Sequence, residues 1–135
     1  MYVVIDTNII VSALLKEESN PRKLLDLVLT DEIIPIITRE ILSEYKEVLK
    51  REKFGFDVEL IDGLFEILAK KWKYIETSIV KNNNCDKGDL FIYSAYIEHS
   101  KIDTTYLVTG NLKHFPTENN IINPKMMVDI IRNNN

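Results

Sequence analysis

The sequence predicts an α/β domain built on a mainly parallel central sheet, and three observations carry that prediction. Short β-branched runs alternate with segments of helical hydrophobic spacing along almost the whole chain. The runs at residues 2–5 and 106–108 are apolar throughout, as strands covered on both faces must be. No strand is followed by a glycine-rich turn, which sets dinucleotide binding aside and leaves the polar residues at the strand ends as the chemistry to explain.

Each element has its own signal. Tyr2 to Ile5 reads as a buried strand that meets Asp6 at once. Ile9, Ile10, Ala13 and Leu14 recur at helical spacing, and Asn20-Pro21 offers a cap and a first-turn proline for a second helix carrying Leu24, Leu25, Leu27 and Val28. Residues 33–37 form a second strand, whose Pro35 predicts a sheet edge or a bulge because proline cannot donate to a ladder. Thr38 caps a helix with Ile41, Leu42, Tyr45, Val48 and Leu49 inward. Residues 53–56 contain Gly55 and turn the chain, and Asp57 caps a helix that the apolar spacing carries from Leu60 to Trp72. Residues 74–79 predict a short strand, 81–88 a polar loop, and 90–97 a largely apolar helix. The strand at 106–108 closes on Thr109-Gly110-Asn111, and residues 120–123 hold a minimal last strand. Pro124 opens a terminal helix, and 133–135 should fray.

A length of 135 residues predicts one domain over 1–135. With 45% hydrophobic and 28% charged residues the composition is that of a globular protein. The net charge of -4 supplies no general field for nucleic acid, so any such contact must be local. One cysteine, Cys85, and two histidines exclude an internal disulfide and an all-protein zinc cage. The early Asp6 leaves no signal-peptide stretch, and no run reaches the length of a membrane span, so the expected location is the cytoplasm, with no membrane partner.

Single residues at the strand ends have ordinary explanations. Asp6 suits a helix cap, Asp89 the positive end of a helix, Asn111 a turn, and Glu40 with Glu44 a solvated helix stripe. Together, three acids and an asparagine at converging ends of elements make an oxygen-rich site. Carboxylate and carboxamide oxygens without cysteine suit hard cations, Mg²⁺ or Mn²⁺, and those suit phosphodiester chemistry. A phospho-acceptor domain would need an acidic pair after the first strand, where Asp6 stands alone. His99, His114, Cys85, Phe91, Tyr93 and Tyr96 read as helix-end, surface or core residues.

Four strings in order resemble the PIN-domain family over nearly the whole chain: Val-Val-Ile-Asp-Thr-Asn-Ile-Ile-Val-Ser-Ala-Leu, Glu-Ile-Leu-Ser-Glu-Tyr-Lys-Glu-Val-Leu, Asp-Leu-Phe-Ile-Tyr-Ser-Ala and Leu-Val-Thr-Gly-Asn-Leu-Lys-His-Phe. The resemblance implies a three-layer α/β/α domain with a sheet of four to five strands. It implies a metal-dependent endoribonuclease that hydrolyses RNA by water attack, and it is nearest the branch of toxin components of toxin–antitoxin pairs. It places Asp6, Glu44 and Asp89 as metal ligands, with Asn111 where the family commonly has Asp. Asp86, Thr7, Asn8 and Thr109 become auxiliary residues, and Arg39, Lys87 and Lys113 candidate phosphate contacts. The implied partners are RNA, a small antitoxin and a second copy in a homodimer. The alternative is a catalytically silent PIN scaffold that binds RNA or a protein partner, with Asn111 as its first departure.

Overall fold

A computed structural model describes residues 1–134. Five strands form one all-parallel sheet in the order β3-β2-β1-β4-β5. They are β1 (Tyr2–Ile5), β2 (Ile34–Ile37), β3 (Lys73–Tyr74), β4 (Thr105–Val108) and β5 (Ile121–Ile122). Consecutive strand side chains point to opposite faces, yet Val3 and Val4, Ile36 and Ile37, and Leu107 and Val108 are all buried. Both faces are therefore covered, as the apolar runs demanded.

Six helices supply the cover: α1 (Thr7–Leu15), α2 (Asn20–Leu29), α3 (Arg39–Leu49), α4 (Val58–Leu68), α5 (Leu90–Ser100) and α6 (Pro124–Asn133). The chain adds β2 and then β3 on one side of β1, and returns through α5 to add β4 and β5 on the other. Right-handed crossovers place α5 on the face opposite α1 and α2, giving three layers. α2 packs on α1 and α6, and α5 on β1 and β4. The boundary between β1 and β4 is thus where the strand order reverses, the place where α/β sheets gather ligands at the strand carboxyl ends.

Several local expectations are corrected. Ser19, not Asn20, is the N-cap of α2, its hydroxyl accepting from the Arg22 amide. Pro35 lies in an interior strand and in no bulge: β2 sits between β1 and β3. The Ile34 amide donates to the Met1 carbonyl, so the Pro35 nitrogen faces the other way, and β3 pairs only with Ile36 and Ile37. The missing donor therefore meets no ladder. α4 stops at Leu68, four residues short of Trp72, which still packs on the core. The strand expected at 74–79 shrinks to Lys73–Tyr74, because beyond Ile75 no backbone carbonyl of β2 remains to accept. Asn133 closes α6 and Asn134 is its C-cap, while Asn135 lies outside the described residues.

His99 differs most from a helix-end cation. It is fully buried, with Nδ1 2.7 Å from the Thr105 hydroxyl, Nε2 3.0 Å from Lys73 Nζ, and its ring against Tyr2. Burial first, and then the Lys73 ammonium, lower its pKa and favour the neutral ring. With Nε2 accepting from lysine, Nδ1 carries the proton.

The β4 core supports the edge that carries the site. Leu107→Ala removes a fully buried side chain and should cost about 2–5 kcal/mol, read as a lower urea midpoint at unchanged m-value; a loss below ~1 kcal/mol would show that β4 is not held by this core.

Candidate metal centre

The β1–β4 register pairs Ile5 with Val108. The next residues, Asp6 and Thr109, therefore leave the sheet side by side. The Asp6 amide donates to the Val108 carbonyl at 2.9 Å, and the Thr109 hydroxyl donates to Asp6 Oδ2 at 2.8 Å. Thr109 also accepts from the Asn111 amide at 3.0 Å, which orients its hydroxyl proton toward the carboxylate. Asp6 is 5% exposed.

α3 brings the second acid. Thr38 caps it from the end of β2, and two adjacent residues tie it to the residues flanking Asp6. Tyr45 donates its phenol to the Ile5 carbonyl, and Glu44 accepts the Thr7 hydroxyl. Neighbours in α3 thus grip neighbours of Asp6. The sequence places Tyr45 only among the inward residues of the helix; its signal was the polar tip of an otherwise buried ring next to the candidate acid.

The third acid arrives with α5. Asp86, at the start of the 3₁₀ turn Lys87–Asp89, accepts the Asp89 amide on its carbonyl at 2.9 Å, so Asp86 and Asp89 face the same loop. His114, in the 3₁₀ turn Leu112–His114, places Nδ1 3.2 Å from Asp89 Oδ2 and 3.5 Å from Asp86 Oδ2. Among the described residues, Asp86, Asp89 and His114 form a tight group of ligand-capable side chains, their ligand atoms within 4.8 Å of one another. Asp6 and Glu44 stand outside that group. His114 was read from the sequence as a surface or packing residue; it is exposed, and it faces the acidic loop.

Capping separates these acids from the rest of the molecule. Ser19, Thr38, Asp57 and Asn123 each accept a backbone amide at the start of α2, α3, α4 and α6. Asp6 and Asp89 hold the N-cap positions of α1 and α5, and neither side chain caps. The Asp6 carboxylate takes a backbone hydrogen bond at Thr7, the first residue of α1, and makes no cap bond deeper in the helix, so capping alone does not account for it. Among the described residues, no lysine or arginine pairs with Asp6, Glu44, Asp86 or Asp89, although Glu40 and Glu47 on the same helix meet Arg39 and Arg51.

Asp6 lies within reach of the charges of Asp89 and Glu44. Burial pushes the Asp6 carboxyl up to about 6; the Thr109 hydrogen bond opposes this, and the charges of Asp89 and Glu44 add to it. Burial also raises Asp89, with His114 opposing and Asp86 adding. The Tyr45 phenol is raised by burial and then by Asp6 and Glu44. Folding gathers anionic charge here, with His114 as the basic group beside Asp89 and Asp86. Burial, helped by Asp89 and Asp86, lifts the neighbouring Cys85 thiol to about 11, so it acts as a small hydrophobe.

The remaining candidates lie around this centre. Asn111 is exposed and joins it through its backbone amide and carbonyl. Asn8 is exposed in the first turn of α1. Arg39 lines an open groove with Ser43, Glu44 and Phe91. Lys87 and Lys113 are exposed in the two 3₁₀ turns, and Lys113 shares a hollow with Asn111 and His114.

The oxygen-rich set of carboxylates at this strand-end switch point, Asp6, Glu44, Asp86 and Asp89, has the donor chemistry that fits a hard cation. A family model of the PIN domain matches residues 2–113, and the chain belongs to the PIN-domain family. PIN domains are generally nucleases that use divalent metal ions. No curated protein and no solved structure matches the chain. β5 and α6 lie beyond the matched segment.

The raised Asp6 carboxyl fixes a sign. The folded protein holds this proton more tightly than the unfolded chain, so the stability it contributes is full below about 3.8 and falls as pH rises toward about 6. Asp6→Asn keeps an acceptor for Thr109 without the charge. In chelator-containing buffer the variant should exceed the wild type by about 2–3 kcal/mol above pH 7, and the two should converge as pH falls to about 4. Urea denaturation across that range checks it; equal stability at pH 7 would mean that Asp6 is not a strained charge.

Proposed function

We propose that this protein is a divalent-metal-dependent endoribonuclease, the toxin of a type II toxin–antitoxin pair, that hydrolyses RNA phosphodiester bonds. The observation that supports it best is the buried Asp6 carboxylate, which has no lysine or arginine ion pair among the described residues and shares its surroundings with Glu44 and Asp89. Asp6, Glu44 and Asp89 would hold the ion, Mg²⁺ or Mn²⁺. When bound, it supplies positive charge for a polyanionic substrate and acidity for a water.

The chain's own groups set the stage for that chemistry. Thr109 and Thr7 donate to Asp6 and Glu44, which fixes the carboxylate orientations that ion binding needs. Tyr45 locks the Ile5 carbonyl, and so the direction in which β1 delivers Asp6. Arg39, at the groove beside Glu44, is the phosphate contact best placed on one side, with Lys87 and Lys113 on the other. Asp86, Asn8 and Asn111 stand at the rim. Single strands suit this arrangement, because Phe91 in the Arg39 groove offers a ring to a splayed base.

The toxin reading adds a small antitoxin that would cover the acidic centre or its approach, action in the cytoplasm, and a homodimer. Among the described residues, no helix is long and apolar enough to cross a membrane. Asn111 favours one second reading, a silent scaffold that binds RNA, since it has one charge fewer than an aspartate.

An RNA cleavage assay in Mn²⁺ decides between them. The wild type should cut single-stranded RNA and stop when EDTA is added, and Asp6→Asn, Glu44→Gln and Asp89→Asn should each abolish cutting while remaining folded. Undiminished cutting by Asp6→Asn would refute the assignment, and RNA binding without cutting by the wild type would favour the scaffold. Asn111→Asp should tighten Mn²⁺ binding in calorimetry, because an added anionic donor raises affinity for hard cations; an unchanged isotherm would show that residue 111 does not reach the ion.

A further inference from the structure

We infer that His114, at the end of the 3₁₀ turn after β4, is the positioning residue for Asp89, donating from Nδ1 to the Asp89 carboxylate. The inference rests on the metal-centre reading above and adds a residue to it.

The segment from Thr109 to His114 ties the first acid to the third through an unbroken series of hydrogen bonds. Thr109 donates to Asp6 at 2.8 Å and accepts the Asn111 amide at 3.0 Å. The Asn111 carbonyl accepts the His114 amide at 3.0 Å, and His114 Nδ1 lies 3.2 Å from Asp89 Oδ2. The His114 carbonyl in turn accepts the Asp86 amide at 2.8 Å, and the Asp86 carbonyl accepts the Asp89 amide at 2.9 Å. Asn111 thus gives both backbone groups to the strap, which leaves His114 as the side chain at its far end.

The chemistry of the pair sets the direction of the bond. An ionised carboxylate only accepts, so Nδ1 must carry the hydrogen, and Nε2 is the ring atom left free. Asp89 has no other side-chain donor among the described residues and does not cap α5. Without His114 its carboxylate is free to rotate. Partners of this kind, acting behind a ligand, typically change metal affinity by about 10–100-fold. His114 itself is exposed and carries little of the fold.

Isothermal calorimetry with MnCl₂ on the full chain tests the assignment. His114→Ala should weaken Mn²⁺ binding by about ten-fold or more with the Tm of the metal-free protein little changed. His114→Asn places an amide N–H near the Nδ1 position and should restore binding to near the wild-type value. RNA cleavage by His114→Ala should recover its kcat at saturating Mn²⁺. Wild-type affinity in His114→Ala, or an Asn variant as weak as the Ala variant, would overturn the assignment while leaving the metal centre standing. A kcat that stays lost at saturating Mn²⁺ would also overturn it, by making His114 a reacting group. Absence of Mn²⁺ binding by the wild type would defeat both readings, and Asp6→Asn as a non-binding control separates that case from the others.

Discussion

The parallel pairing of β1 with β4 is the constraint on which the centre depends. It sets Ile5 opposite Val108 and so delivers Asp6 and Thr109 together at the one place where the strand order reverses. A slip of one residue would send Asp6 to the wrong face and break its bond to Thr109. The buried pairs Val3–Val4 and Leu107–Val108 oppose such a slip, since both faces of both strands are packed. The site is therefore held by core packing more than by its own polar bonds.

Around that fixed pair the molecule spends stability on charge. Among the described residues, Asp6, Glu44 and Asp89 are at least partly buried and form no ion pair with lysine or arginine, an odd choice for structure, because partly buried carboxylates cost free energy unless paired. Elsewhere the same chain pairs its acids, as Glu47 with Arg51 and Asp62 with Lys50, and caps its helices with serine, threonine, asparagine and aspartate. The exceptions fall in one region. Local rules of capping and pairing are weakest together where a cation would relieve the cost, which is the ground for the proposed site.

Much of this was legible in the residues. Apolar runs gave β1 and β4 because burial on both faces leaves no alternation to obscure them, and Thr38, Asp57 and Pro124 marked helix starts through local chemistry. The strand after Trp72 was overestimated because sequence carries no count of the partner's free carbonyls. Pro35 was read toward an edge because its missing donor is local, whereas the short reach of β3 is not. In the site, Asp6, Glu44 and Asp89 each had an ordinary explanation alone, and it was their place at converging element ends together with the PIN-domain resemblance that singled them out. Tyr45 and His114 did not stand out, since a phenol aimed at Ile5 and an imidazole aimed at Asp89 depend on the approach of elements some 25 to 40 residues away.

The central claim is that Asp6, Glu44 and Asp89 share one cation. Crystals soaked in MnCl₂, with anomalous scattering recorded near the manganese edge, test it most directly. The account predicts a peak bounded by carboxylate oxygens of all three residues. A peak held by Asp86 and His114 alone, away from Asp6, would contradict it.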